Sequence, residues 1–273
     1  MLSRISYATI SIRLLLVTVI FTLLNPSHAS PILSALVASY PDHLSGTNGD
    51  TLIFKNGTRL PLSDGCPNKS FDELLAHPSI ADMFAQPYPL GGAIKPPARN
   101  EDPGRFRNQA FFSAMYGDCR KGEVSKHLVR VAWLPRHGGG SLRVTGINGV
   151  AEALRAVSRE LDALPEPLIK YAAAPAGGYN CRAVAGTERT SMHAYGAAVD
   201  IAARFSDYWR WRGNRNNPVW RNRIPAQIVD IFERHGFIWG GRWYHYDTMH
   251  FEYRPELIAA AKAITSSSPG LTR

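Results

Sequence analysis

Two stretches of this chain place side chains that can bind a metal inside apolar runs. The first reads Ser191-Met-His-Ala-Tyr-Gly-Ala-Ala-Val-Asp-Ile-Ala202, and the second Tyr246-Asp-Thr-Met-His-Phe-Glu-Tyr253. Successive residues of a β-strand point to opposite faces. A strand over Ala197–Ala203 therefore sends Val199, Ile201 and Ala203 to the core, and leaves Asp200 between the small Ala198 and Ala202 on the other face. In the second stretch Met249, Phe251 and Tyr253 share one face, His250 and Glu252 the other. His193 lies seven residues before Asp200, with the turn-permissive Gly196 between them, so it can fold back over the same face. Two imidazoles and one carboxylate suit a catalytic zinc with a fourth position left for water.

Such a water needs a base, and Asp247, three residues before His250, is the nearest carboxylate, with Glu252 competing. Arg182 is the best placed cation for a substrate carboxylate or a developing oxyanion. His245 competes with His250 as a ligand, but a spacing of five puts the two on opposite faces of a continuous strand. Either stretch alone would suit an ordinary hydrogen-bonded core group; the pair argues for a site.

The elements that must hold these residues follow from periodicity. Val150, Leu154, Val157, Leu161 and Leu164 recur at helical spacing after Asn148 as N-cap, and Pro165 and Pro167 stop the helix. His127–Leu134 and Leu142–Thr145 read as a hairpin that this helix covers. A second helix follows Ile224-Pro225, with Ile228, Ile231 and Phe232 on one face and a stop at His235-Gly236. Phe237–Trp239 reads as a short strand and Pro255–Ile264 as a last helix. Between the stretches, residues 207–223 interleave Tyr208, Trp209, Trp211 and Trp220 with arginines, a pattern suited to sugar stacking and carboxylate capture, or to nucleic acid.

The first half is different. Residues 30–120 are rich in turn formers, with a small hairpin over Thr51–Phe54 and Thr58–Leu62, a short helix at Phe71–Ala76 and another at Ile80–Phe84. This is an accessory lobe or a wrap around the part at 121–264, and residues 265–273 form a disordered tail. Residues 1–29 have the pattern of a secretory leader: Arg4 and Arg13 precede the uncharged run Leu14–Leu24, and Pro26-Ser-His-Ala29 supplies small residues for cleavage after Ala29. The apolar run is shorter than the ~20 residues of a spanning helix. An exported, periplasmic or envelope-associated protein is expected, and export removes nucleic acid as a partner.

The 273 residues carry a formal charge of +9 with 45% hydrophobic and 10% aromatic content, a globular composition. The basic balance suits peripheral contact with an anionic envelope surface. Of Cys66, Cys119 and Cys181, the first two are expected to pair in an oxidising compartment, both lying in the loop-rich half; a Cys181 pairing stays open.

The pattern Ser191-x-His193-x-x-Gly196-x-Ala198-x-Asp200, followed by Asp247-x-x-His250-Phe251-Glu252, resembles the zinc D-alanyl-D-alanine carboxypeptidase and dipeptidase family, including VanY-like and L-alanyl-D-glutamate peptidases. Tyr179-Asn-Cys-Arg182 ahead of it also resembles the related bacterial extensin-like C-terminal domain family. The resemblance spans residues 144–257. It implies an α+β fold, a small mainly antiparallel sheet carrying the metal with helices packed on it, beside a loop-rich N-terminal extension. It also implies zinc on His193, Asp200 and His250, Asp247 as catalytic base, and Arg182 and Ser191 as substrate or transition-state contacts. Trp209 and Trp211 are expected to line the cleft. Many of these carboxypeptidases have Glu-x-x-His where this chain has Asp247-x-x-His250, so carboxypeptidase and endopeptidase action on peptidoglycan stem peptides both stay open. The rival reading is a non-catalytic wall-binding module of the same fold.

Overall fold

The computed structural model describes residues 31–211 and 215–266. The expected leader and residues 267–273 of the expected tail lie outside them. The chain begins with α1 (Pro31–Ser39), a helix not expected from the sequence, and a meander of β1 (Leu44–Asn48), β2 (Thr51–Phe54) and β3 (Arg59–Pro61). The hairpin expected at Asn56-Gly57 is present as β2 and β3, and β1 adds a third antiparallel strand. After α2 (Phe71–Ala76) comes α3 (Gln109–Tyr116), inside the stretch read as turn-rich. Its Phe111, Phe112, Met115 and Tyr116 are buried, which is the apolar stripe of a helix.

The second half carries β4 (Leu128–Ala132) and β5 (Ser141–Thr145) as an antiparallel hairpin covered by α4 (Val150–Asp162), with the short α5 (Glu166–Ile169) after it. Val150, Leu154, Val157 and Leu161 of α4 are fully buried, as their spacing requires. Asn148 is not the N-cap. It sits at φ 56 inside a tight turn, a left-handed conformation that Asn tolerates, and Gly149 takes the cap position without a side-chain bond. Next follow β6 (Ala198–Asp200), α6 (Ala226–Arg234), β7 (Phe237–Trp239), β8 (His250–Tyr253) and α7 (Pro255–Ser266). Strands β6, β8 and β7 form the sheet that matters for function, antiparallel with β8 in the middle. Among the described residues the α+β architecture has three small antiparallel sheets, and the expected mainly antiparallel sheet beneath the ligand candidates is β6-β8-β7.

Three further expectations change. The strand expected over Ala197–Ala203 is only β6; after Ile201 bonds Met249 O, the chain turns at Ala203–Phe205. Thr265 and Ser266, assigned to the tail, complete α7. The disulfide is Cys119–Cys181, with Cα atoms 5.7 Å apart, and Cys66 is free and exposed. The Cys66–Cys119 expectation fails because closeness in a loop-rich segment is not closeness in space: the first half wraps the second and brings Cys119 to Cys181. The same wrapping makes one core, in which Leu36 and Phe111 share a cluster with Val157, Phe232 and Phe251.

Candidate metal centre

Register brings the first two ligand candidates together. In the β6–β8 ladder Asp200 stands opposite His250, and Ala198 opposite Glu252. Directly opposed residues share a face, so the alternation read from sequence holds here. His193 comes from the 3-10 turn Met192–Tyr195, whose start is capped by Ser191 Oγ accepting from His193 N at 3.3 Å. The turn closes at Gly196, at φ 69, and its carbonyl accepts from Thr145 N at 2.9 Å. A Cβ there would lie 2.8 Å from that same nitrogen, so glycine is required on two counts.

The result is a tight cluster. His193 Nε2 lies 3.1 Å from His250 Nδ1 and 3.2 Å from Asp200 Oδ2, and His250 Nδ1 lies 2.9 Å from Asp200 Oδ1. The outer nitrogens are both engaged: His193 Nδ1 donates to Gly178 O at 2.6 Å, and His250 Nε2 donates to Glu252 Oε1 at 2.8 Å. These partners fix the tautomers, so two lone pairs and a carboxylate converge on one point. That donor set fits a divalent cation of the zinc type, with nitrogen and oxygen ligands from three residues. Burial lowers the basicity of His250, but hydrogen bonds to Asp200 and Glu252 push its pKa up to about 10, so a proton competes with a cation there. Asp200 is held well below the usual carboxylate range: burial raises it, and His193 and His250 outweigh the burial.

Asp247 lines the same cavity of about 450 Å³ as Asp200 and His250. Its Oδ1 is buried and has no hydrogen-bond partner. Burial is the main cause that pushes its pKa up to about 7; His250 pulls it down, Asp200 raises it again, and Arg182 and Arg105 oppose. A carboxyl near neutrality in a cleft has the character of a general acid–base group.

Residues 185–253 match the sequence model of a family described as D-alanyl-D-alanine carboxypeptidase. No curated protein matches the chain. The matched segment contains His193, Asp200, Asp247 and His250, together with Ser191, Trp209 and Trp211, which line the cavity. Arg182 lies just ahead of it; the side chain lines the cavity, and Nη1 donates to Ala183 O at 3.3 Å. Ser191 has a second task as the cap described above. Trp211 is 53% exposed and stands edge-on to Tyr208.

Several cavity residues lie outside the matched segment and were not expected from the sequence. Arg105 and Arg107 line the cavity from the first half, and Arg107 holds Glu252 in a two-pronged ion pair, Nε to Oε2 at 3.0 Å and Nη2 to Oε1. This keeps the Glu252 carboxyl well below its usual range against burial, with His250 assisting, so Glu252 is engaged as the orienting partner of His250. The alternating Arg105-Phe-Arg107 after Pro103-Gly104 was the available signal. His245 is not in the cluster. It precedes β8, so the continuous strand assumed for its spacing does not exist; its ring lines the cavity, with Nδ1 2.6 Å from Asp102 Oδ2 and its backbone N bonded to Oδ1. Trp243 also lines the cavity, below the guanidinium groups of Arg105 and Arg107. Within the arginine-rich stretch, Arg210 stacks on Trp209 and bonds Ala185 O, and Arg223 pairs with Asp207, so those two hold loops in place.

Proposed function

We propose that the protein is an exported zinc metallopeptidase that hydrolyses peptide bonds in peptidoglycan stem peptides. One observation carries this reading: three ligand atoms converge with their outer nitrogens held, beside a buried Asp247 oxygen that nothing else satisfies. The family description supports the peptidase chemistry and the D-alanyl peptide class. The leader pattern supports export, and so does a disulfide, which persists in oxidising compartments.

His193, Asp200 and His250 would hold zinc through Nε2, a carboxylate oxygen and Nδ1. When bound, zinc supplies Lewis acidity toward a peptide carbonyl and toward water. Arg182, at the cavity wall and exposed, takes a terminal carboxylate of the substrate by charge-assisted hydrogen bonds. Asp247 Oδ1 accepts the proton of the attacking water and returns it to the leaving amine, a role matched by its pKa near 7. Trp209 and Trp211 offer flat faces to the peptide or to adjoining sugar.

The test measures bound zinc and cleavage of muropeptides ending in D-Ala-D-Ala by the protein beside His193→Ala and Asp247→Ala. The expected result is loss of both zinc and cleavage in the first variant, and loss of cleavage alone in the second. Undiminished cleavage in either would overturn the mechanism, and zinc binding without any peptide cleavage in the unaltered protein would favour a wall-binding module.

A further inference from the structure

A second cavity of about 370 Å³ lies between residues 76–78 and 105–112 on one side and residues 188–195 on the other. Arg105 and Arg107 line both this cavity and the one at the metal cluster, so the two adjoin across those side chains. Arg105 and Arg107 already face carboxylates, Asp102 and Glu252. Arg189 does not. Its Nη1 is buried without a hydrogen-bond partner, and among the described residues no ion pair includes it. A guanidinium nitrogen buried beside two other cations is costly unless an anion completes it. Burial first, and then Arg107, Arg105 and Arg210, lower the pKa of Arg189 to about 10, which still leaves it charged at neutral pH. Glu188 is the one carboxylate on the cavity wall among the described residues, and it is exposed.

We propose that this second cavity is a carboxylate subsite, in which Arg189, backed by the field of Arg105 and Arg107, binds the free carboxylate of an acidic residue in the peptide being cut. The planar guanidinium fork matches a carboxylate, and the unpaired Nη1 supplies a donor that no protein group uses. Pro78, Phe112 and Tyr195 give the cavity apolar wall for the aliphatic stem of such a residue. The inference rests on the peptidase reading for its ligand, while the cavity and the orphaned donor stand independently of it.

The test titrates two synthetic peptides ending in D-Ala-D-Ala that differ only in carrying, upstream, a glutamate with a free carboxylate or its glutamine counterpart. Calorimetry on the Asp247→Asn protein reads binding without turnover. The expected result is that the glutamate peptide binds about 10- to 100-fold tighter, the range of a hydrogen bond to a charged group. Adding Arg189→Gln erases the difference, and Arg189→Lys keeps part of it. Equal binding of the two peptides overturns the subsite, and so does a preference that survives Arg189→Gln. Displacement of the glutamate peptide by inorganic phosphate but not by acetate would overturn its assignment to carboxylate. If Arg189→Gln does not fold, the comparison of the two peptides with Arg189 intact still decides. Failure of the peptidase reading shows separately, as no cleavage of either peptide by the unaltered protein.

Discussion

Asp247, half-buried with its Oδ1 shielded, and the fully buried Glu252 lie a few residues either side of His250, and their surroundings give them opposite characters. Glu252 is tied to Arg107 and to His250 Nε2, which keeps it ionised; Asp247 has an oxygen with no partner, and burial holds it near neutrality. Replacing Asp247 with Asn should lower cleavage about 10²- to 10⁴-fold, the usual weight of a general base, with zinc content unchanged. Replacing Glu252 with Gln should act on the metal instead. It weakens the bond that orients His250 and leaves Arg107 less compensated, so zinc affinity should fall about 10- to 100-fold. Metal titration with a chelator of known affinity separates the two variants, and equal zinc affinity in Glu252→Gln and the unaltered protein would contradict the orienting role. Spacing could name both carboxylates, and only the resemblance set Asp247 ahead as the base, because the decisive partner of Glu252 lies 145 residues away.

The strands and turns show which part of the site was legible. Alternation alone assigns Asp200, His250 and Glu252 to faces, and the β6–β8 register agrees. The helical spacing of α4 was equally plain. What alternation cannot give is where a strand stops, and β6 ends at Asp200 because the chain leaves for the turn Ala203–Phe205. Nor did spacing reveal α3, whose apolar stripe sits in a stretch dominated by turn formers. Gly196 links the two kinds of information: the sequence marks it as a turn, and the structure shows it packed against Thr145 and Leu128 at positive φ. Gly196→Ala should therefore destabilise the fold by about 2 kcal/mol or more, through left-handed strain and a clash with backbone. Because the same turn carries His193, zinc affinity should fall with it. Urea unfolding with and without zinc measures both, and a shift under about 0.5 kcal/mol, the level of an ordinary surface change, would show that the turn adapts.

For the whole molecule, composition left the first half as either a lobe or a wrap, because its long-range partners have no local signature. Its side chains finish groups in the second half: Tyr40 donates to Glu256 Oε2 at 2.6 Å, Tyr88 donates to Glu233 Oε1 at 2.6 Å, Arg107 holds Glu252, and Asp102 holds His245. The disulfide adds a covalent tie across a separation of 62 residues, worth about 4 kcal/mol in the chain-entropy view, so Cys119→Ser should lower the unfolding free energy by up to that amount in denaturant titration. A chain beginning at residue 121 loses all of these at once. Stripping one partner from a buried ion pair costs about 3–5 kcal/mol, and Glu252 alone would lose Arg107. Against a total stability of about 5–15 kcal/mol, that loss, the disulfide and the bared faces of Phe232 and Phe251 exceed what the remainder can spare. The shortened chain should give no cooperative thermal transition by circular dichroism and no stoichiometric zinc. A sharp transition with zinc bound would show instead that the second half folds alone, and that Arg105 and Arg107 are additions to a site complete without them.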